Sequence, residues 1–236
     1  MTRVQEYRDS LRALPRAEWV PYLGEHSGLP GPRGNIELAQ AFADEADPAL
    51  VDELLDTDDE YLTFCGVVAL GRALAAAPSH ELEHRLRGYA ADGRWRVREA
   101  VAMALQRVGD ADLPRLLRVV TAWAHDPDPL VQRAAVAGVC EPRLLTDPAA
   151  AAAALGACQA ATERLADTPR DRRREPGLRV LRQGLGYCWS VAVAADPERG
   201  LPAFAALAER DDPDVAWVVR ENRRKKRLAQ LLDVSR

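Results

Sequence analysis

The feature that most constrains the fold is a stripe of small and branched apolar residues that occurs three times at helical spacing. Each stripe follows positions i, i+3, i+4, i+7 and i+8, and the three begin at Leu62, Val97 and Val131, which are 35 and 34 residues apart. This spacing puts the side chains of a stripe on one face of a helix. Small residues at i+3 and i+4 allow a neighbouring helix to approach closely. A helical pattern with a nearly constant period predicts stacked repeats.

An acidic turn precedes each stripe, and an amphipathic segment precedes the turn. The turns read DTDDEY at 56–61, DGRW at 92–95 and DPDP at 126–129. An aspartate at a helix start accepts backbone N–H bonds and lies at the positive end of the helix dipole. The unit is therefore helix, acidic turn, helix. Because one such pair cannot bury its apolar face alone, the pairs are expected to stack.

We therefore predict an all-α protein, an α-solenoid of stacked antiparallel helix pairs in a single domain. Composition agrees, because 47% of the residues are hydrophobic but only 6% are aromatic, whereas strands prefer bulky side chains. The predicted parts are N-terminal helices with a Gly/Pro loop at 1–45, three regular repeats at 46–142, and enlarged C-terminal repeats with a basic terminal helix at 143–236. No apolar run approaches the ~20 residues that span a bilayer, so no membrane association is expected.

Two segments carry a resemblance to a known repeat. HDPDPLVQRAAVAGV at 125–139 and DGRWRVREAVAMAL at 92–105 resemble the second helix of a HEAT repeat, with its acidic turn followed by V-[RQ] and two small residues. The resemblance implies a HEAT- or armadillo-like fold and a tendency to bind macromolecules, but no particular reaction.

A second, more distant resemblance is to HEAT-like DNA alkylation-repair glycosylases. Short N-terminal helices, a Gly/Pro loop containing Arg33, the helix IELAQAFA and an acidic repeat follow one another in a similar order. The resemblance implies a cationic DNA-binding face with aromatic residues and a carboxylate at the lesion, for which Trp95, Trp123, Trp217 and Glu99 are the counterparts. The chain departs from that family, because its W-x-V-R-E motifs lack the Trp- and Asp-rich catalytic stretch. Its acidic N-terminal third would also repel phosphate.

A basic run near the C-terminus departs from the repeat pattern. WVVREN at 217–222 nearly repeats WRVREA at 95–100, yet the stripe that follows it, Val219, Asn222, Arg223, Lys226 and Arg227, is mostly polar. Residues 220–227 contain six basic residues and one acid, and predict about 12 Å of cationic helix. This helix is either the polar cap of a terminal repeat or a binding surface for an anion, an acidic protein or nucleic acid.

Charge is unevenly distributed although the net charge is only −4. Residues 34–71 contain ten acids and no Lys or Arg, and a second basic cluster, RDRRREPGLR, occupies 170–179. Opposite charges on separate segments allow one copy to contact another, so weak self-association is a further expectation.

Several other residues are candidates for binding, each with a structural alternative. Arg33, in GLPGPRGNIELA, and nearby backbone N–H groups suit an anion, or the loop is a rigid turn with Asn35 capping the next helix. Trp95 and Trp217 either stack on a ligand or fill a gap between helices. Arg98 and Arg220 occupy the V-R position, where the HEAT resemblance implies bonds to aspartates of neighbouring turns. The candidate binding residues are Arg33, Trp95, Arg98, Trp217, Arg220, Arg223, Arg224, Lys226 and Arg227.

The segment HELEH at 80–84 matches the zinc-protease pattern H-E-x-x-H. Ser79 is placed to cap this helix, so His80 falls in an exposed first turn, and no third ligand is recognisable. We expect no zinc here, no other metal and no cofactor. The four cysteines form no paired motif and are expected to be buried, reduced thiols. A cytoplasmic location is expected because no apolar run suits a membrane span or a signal region.

These observations favour a non-enzymatic HEAT-like module that binds a macromolecular partner, and they favour a protein as that partner. The alternative is a nucleic-acid-binding protein related to the HEAT-like glycosylases. If the chain is an enzyme, the resemblance implies DNA glycosylase activity.

Overall fold

The computed structural model describes residues 1–234 and is 79% helical. Fourteen α-helices and three short 3-10 helices account for this part of the chain, which contains no strand. The prediction of an all-α protein is confirmed. The first seven helices are α1 (Arg3–Ala13), α2 (Trp19–Glu25), α3 (Ile36–Glu45), α4 (Pro48–Leu55), α5 (Glu60–Ala76), α6 (His80–Ala90) and α7 (Trp95–Ala111). The other seven are α8 (Leu113–Trp123), α9 (Pro129–Val139), α10 (Pro148–Asp167), α11 (Pro176–Ala195), α12 (Pro197–Ala208), α13 (Pro213–Arg223) and α14 (Lys226–Val234).

The chain divides into two compact units, with the boundary between Ala111 and Asp112. Unit 1 contains α1 to α7, and unit 2 contains α8 to α14. The boundary falls within the span predicted to hold three regular repeats, so the stripes that begin at Leu62 and Val97 lie in unit 1 and the stripe of Val131 lies in unit 2. The solenoid arrangement of the repeats stays a prediction.

Unit 1 is built around the contact between α5 and α7, which is its most extensive one. Every member of the two predicted stripes in this unit is buried except the half-buried Leu62, and Gly66 of the first stripe faces Leu55 on α4. The helices approach so closely that a Cβ added to Gly71 would lie 2.5 Å from the Cα of Ala104. Helices α3, α4 and α6 pack against α5, and α1 packs against α3. Small residues therefore do allow α5 and α7 to approach closely, but the pair that meets is Gly71 and Ala104, not the residues at i+3 and i+4 of the stripes.

Unit 2 is built around α11, which packs against α9, α10, α12, α13 and α14. Trp189 is completely buried, and its Nε1 donates a hydrogen bond to Thr162 Oγ1 on α10 at 3.0 Å. The stripe of Val131 on α9 is buried in the same core. Burial of these apolar side chains against one central helix provides the main stabilisation of this unit.

Side-chain caps begin most of the helices, as the acidic turns predict. Asn35 Oδ1 accepts from Leu38 N at 3.1 Å, and Ser79 Oγ accepts from Leu82 N at 3.2 Å, so both predicted caps are confirmed. Aspartates cap in the same way at α4, α5, α8, α9, α10, α12 and α13. Each cap satisfies N–H groups that a helix start leaves without a partner inside the helix.

The four cysteines are buried and free, as predicted. Two of them, Cys140 and Cys158, are distant in sequence but close in the structure, with their Sγ atoms 3.9 Å apart. Burial raises the pKa of the Cys158 thiol, which keeps it protonated. Within residues 1–234, no helix has the length and apolar character that crossing a membrane requires.

The predicted cationic helix at 220–227 is wrong as one continuous element. Helix α13 ends at Arg223, Arg224 and Lys225 form a turn, and α14 begins at Lys226. The break follows Asn222, whose side chain is fully buried and donates a hydrogen bond back to the carbonyl of Val218 at 2.8 Å. Leu228, also fully buried, then returns the chain to the core. The chain is thus buried at Asn222 and again at Leu228. The basic residues between and beside these two positions belong to the end of α13, the turn and the start of α14.

Candidate binding surface on α11, α13 and α14

A surface of unit 2 combines the basic run with an exposed aromatic ring. We call it the basic surface and define it by Tyr187 on α11, Arg220 and Arg223 at the end of α13, Arg224 and Lys225 in the turn, and Lys226 and Arg227 at the start of α14. All three helices contact one another. The sequence predicts four of these residues as a cationic strip and one more, Arg220, as a candidate in another context, but the predicted binding residues include neither Tyr187 nor Lys225.

Asn222 determines which face of α13 is turned outward. Its Oδ1 accepts from Ser190 N at 2.8 Å, and its Nδ2 donates to Leu185 O at 2.8 Å, both on α11. Val215, Val218 and Val219 share this buried face. Because these bonds satisfy the buried amide and fix α13 against α11, the opposite face, with Arg220 and Arg223, is exposed to solvent.

Tyr187 forms the aromatic centre of the basic surface. It is 44% exposed, and its hydroxyl accepts a hydrogen bond from Arg227 Nη2 at 3.0 Å. Two cations approach its ring, with Arg227 Cζ 5.1 Å and Lys225 Nζ 5.7 Å from the centroid. These distances are in the range of cation–π contacts, which orient the two side chains around the ring.

The positive charge of the run is hardly compensated. Arg224 lies 2.9 Å and Arg220 4.0 Å from the carboxylate of Glu221, and their side chains are 67% and 57% exposed. Within residues 1–234, no other carboxylate lies within ion-pair distance of residues 220–227. Six basic residues against one acid leave a formal charge of +5.

Trp217 lies beside this surface and fills a gap, which was one of its two predicted roles. A Cβ on Gly186 would lie 2.7 Å from Trp217 Cζ3, so only glycine allows the indole this close to α11. Arg182 covers the other part of the ring, with Cζ 4.8 Å from its centroid, and pairs with Asp214. Trp217 is half-buried, so its principal contacts are internal.

A nearly buried arginine holds the loop before α11 against the start of α13. Arg173 pairs with Asp212 at 2.5 Å and with Asp214 at 3.3 Å, and donates to Thr168 O at 2.7 Å. Burial opposes ionisation of Asp212, but the hydrogen bonds from Arg173 and from the Val215 N–H hold its pKa below the ordinary value. The aspartates of this turn are therefore occupied by arginines from α11 and the preceding loop, and Arg220 lies beside Glu221.

Two of the candidate binding residues of unit 1, Trp95 and Arg33, are exposed and contact different neighbours. Trp95 is 50% exposed, and the guanidinium of Arg96 stacks on it at 4.6 Å. Arg96 also pairs with Glu60 at 2.9 Å and donates to Gly31 O at 3.1 Å, which ties the Gly/Pro loop to the start of α7. Arg33, at the loop tip, is 68% exposed and lies 3.8 Å from Glu37. Trp95 is thus more exposed than the half-buried Trp217.

Arg98 bonds to backbone of its own turn. Its Nη1 donates to Asp92 O at 2.6 Å and to Gly93 O at 3.0 Å. The carboxylate of Asp92 accepts instead from Arg94, with Oδ2 at 2.9 Å from Nη2, and this bond holds the pKa of Asp92 below its ordinary value. These bonds make the DGRW turn a rigid entry to α7.

The two histidines of the zinc pattern are exposed, and one of the glycosylase counterparts is buried. His80 and His84 are both exposed on the first turns of α6. Among residues 1–234, no three His, Cys, Asp or Glu side chains converge in a way that suits a metal ion. Trp123 is only 4% exposed, so it is not available to contact DNA.

The acidic span of unit 1 is largely paired. Six of its ten acids form ion pairs with arginines, and most of these arginines lie on other helices. The pairs are Glu37 with Arg33, Asp44 with Arg107 and Arg8, Glu45 with Arg8 and Arg12, Asp47 with Arg16, Asp52 with Arg85, and Glu60 with Arg96. The negative span thus differs from the basic run, whose charges have one acidic neighbour.

Comparison of the chain with models of protein families and with curated proteins finds no match.

Proposed function

We propose that this chain is a non-enzymatic, HEAT-like helical module that binds a macromolecular partner, and that the partner is a protein with an acidic segment that binds to the basic surface. The observation that carries the proposal is the formal charge of +5 at residues 220–227, whose single acidic neighbour is Glu221. A surface that served only as a polar cap needs hydration but no excess of one charge. A cytoplasmic location belongs to the same proposal.

The position of the charges also supports binding. Exposed cationic side chains form charge-assisted hydrogen bonds to carboxylates, and arginine does so in a bidentate geometry. Tyr187 adds an exposed, rigid ring, a side chain that is enriched at protein interfaces. Complementary charge steers the encounter, and the ring supplies contact area.

The test is a charge reversal with a matched control. The variant Arg223→Glu/Arg224→Glu/Arg227→Glu is compared with Arg164→Glu/Arg210→Glu/Arg118→Glu, whose three arginines are also exposed residues of unit 2. Binding of a fluorescein-labelled deca-glutamate peptide is measured by anisotropy at low salt. We expect the first variant to lose at least tenfold in affinity and the control to lose much less, because three favourable contacts become repulsive. Equal losses in the two variants would contradict the proposal.

A nucleic-acid partner is the second candidate, and the observation that favours it is Tyr187 with two cations at its ring. Exposed aromatic rings among basic residues stack bases while the cations contact phosphates. The test is anisotropy with labelled single-stranded and duplex DNA over a range of salt. Nucleic-acid binding requires the logarithm of affinity to fall linearly with the logarithm of salt, by close to one per phosphate contact. DNA binding tighter than peptide binding would replace the first proposal by this one.

A further inference from the structure

The second basic cluster of the sequence, at 170–179, remains outside the proposed site, and three of its five arginines have no ion pair within residues 1–234. Arg170, Arg174 and Arg179 are exposed and lie in the loop before α11 or in the first turn of that helix. We call them the loop cluster. Within residues 1–234, none of the three has a carboxylate at ion-pair distance, whereas Arg172 next to them is paired with Glu175 at 2.9 Å.

Helix α11 connects the loop cluster with the basic surface. Arg179, Gln183 and Tyr187 follow one another at four-residue spacing and are all exposed, so they form one row along the outer side of the helix. The row is about 12 Å long from Arg179 to Tyr187. It therefore begins at a cation, passes an uncharged amide, and ends at the ring that Arg227 and Lys225 approach.

The two groups of cations are held in a fixed relation. Arg173 bonds the loop to Asp212 and Asp214 at the start of α13, and its side chain is only 8% exposed. At the other end, Asn222 bonds the last turn of α13 to α11. A ligand that contacts both groups would therefore find them at a constant separation, which lowers the entropic cost of binding.

The uncharged middle of the row favours a polypeptide over nucleic acid. A nucleic-acid strand carries a phosphate at every nucleotide, so it would place charges over Gln183, where no cation compensates them. A polypeptide can carry acids in two blocks with neutral residues between them. An extended chain rises about 3.3 Å per residue, so about four neutral residues span this row.

We infer that the loop cluster and the basic surface form one bipartite site for an extended acidic polypeptide segment that has two blocks of acids separated by about four neutral residues. The inference rests on the proposed function and specifies its ligand. The first acidic block contacts Arg174 and Arg179, the neutral residues lie along Gln183 and Tyr187, and the second block contacts the arginines and lysines at 223–227.

The experiment uses two fluorescein-labelled peptides and the full chain. The two-block peptide has four glutamates, Gly-Ser-Gly-Ser and four glutamates, and the one-block peptide replaces the first four glutamates by Gly-Ser-Gly-Ser. The loop variant is Arg174→Glu/Arg179→Glu, the surface variant is Arg223→Glu/Arg224→Glu, and the control is Arg164→Glu/Arg210→Glu. All three change the net charge equally. Circular dichroism melts establish that each is folded, and Arg174→Gln/Arg179→Gln provides a milder form of the loop variant.

We expect the wild type to bind the two-block peptide about tenfold more tightly than the one-block peptide, which corresponds to a few weak ion pairs. The loop variant should remove this difference and leave the affinity for the one-block peptide within about twofold of the control. If the loop variant retains the difference, the bipartite site is wrong. If the surface variant also binds both peptides as the control does, the proposed function itself fails. Tighter binding of oligo(dT) than of the two-block peptide would overturn the choice of polypeptide.

Discussion

At the scale of single residues, Asn222 shows that a polar side chain in a helical stripe can still occupy a core position. Sequence comparison with the stripe of Val97 placed Asn222 at a core position and indicated that the core positions had become polar. The alignment was correct for Asn222, which is fully buried, but its partners lie 32 and 37 residues away, at Ser190 and Leu185. Pattern reasoning cannot identify such partners, because helix periodicity describes a face and not what the face contacts.

Replacing Asn222 by alanine should therefore destabilise unit 2. Asn222→Ala removes the bonds to Ser190 N and Leu185 O and leaves a cavity, and we expect a loss of about 2–4 kcal/mol in the free energy of unfolding. Arg223→Ala, the exposed neighbour, is the control and should change it by less than about 0.5 kcal/mol. Urea titration followed by circular dichroism measures both, and similar values for the two variants would show that Asn222 is not an anchor.

Glu45 gives unit 1 a pH-dependent contribution to stability. Hydrogen bonds from Arg12 and Arg8 on α1 hold the pKa of the Glu45 carboxyl below its ordinary value of 4.5, against the opposing effect of burial. A lowered pKa in the folded state stabilises above the unfolded-state pKa, and this stabilisation is lost as the pH falls through the folded-state pKa. The wild type should thus be more stable than Glu45→Gln at pH 7, and the difference should shrink below pH 4.5. Urea unfolding at stepwise pH tests this, and a difference independent of pH would refute it.

At the scale of secondary-structure elements, the periodic helices were predictable and the irregular ones were not. The stripes of α5, α7 and α9 follow from spacing alone, because burial of one face imposes the helical period on the sequence. The turn at Arg224 and Lys225 was missed, since no glycine or proline marks it. The contact of Trp217 with Gly186 was also missed, because it depends on how α13 crosses α11.

The contact between α5 and α7 provides a test at this scale. At Gly71 an added methyl group would meet backbone atoms of Ala104 at 2.5 Å, whereas at Gly88 on α6 it would meet nothing within 4 Å. Gly71→Ala should destabilise by about 1–3 kcal/mol through overpacking. Gly88→Ala should be neutral or stabilise by up to about 1 kcal/mol, because alanine has the higher helix propensity. Thermal unfolding distinguishes them, and an equal effect at both positions would contradict the described packing.

At the scale of the whole molecule, the two units differ in how they use their charges. Unit 1 has 12 basic and 19 acidic residues, a formal charge of −7, whereas unit 2 has 20 and 17, a formal charge of +3. The uneven distribution was evident from the sequence. Which of these charges are paired was not evident from the sequence, because the arginines that pair with the acidic span come from several helices of unit 1. The basic run, in contrast, keeps its excess of positive charge.

Because most acids of the acidic span are paired within unit 1, few of them remain to take part in the expected self-association. Four acids of the span, Glu53, Asp56, Asp58 and Asp59, are exposed and have no ion pair within residues 1–234, and Asp59 is used as the cap of α5. Glu53, Asp56 and Asp58 are therefore the residues left to attract the basic surface of another copy. We expect weak, concentration-dependent association in sedimentation at low salt, which Glu53→Gln/Asp56→Asn/Asp58→Asn removes and which about 0.2 M salt also suppresses. Association that persists in this variant at low salt would require a different contact.

The most direct test of the central claim is to observe Tyr187 while an acidic ligand binds. The chain has five tyrosines, so uniform incorporation of 3-fluorotyrosine gives one ¹⁹F resonance for each, and Tyr187→Phe assigns the resonance of interest. Titration with unlabelled deca-glutamate at low salt should shift the Tyr187 resonance and leave the other four nearly unchanged, because only Tyr187 lies among the cations of the basic surface. A resonance of Tyr187 that stays in place at saturating peptide, or a larger shift of another tyrosine, would contradict the claim that acidic partners bind here.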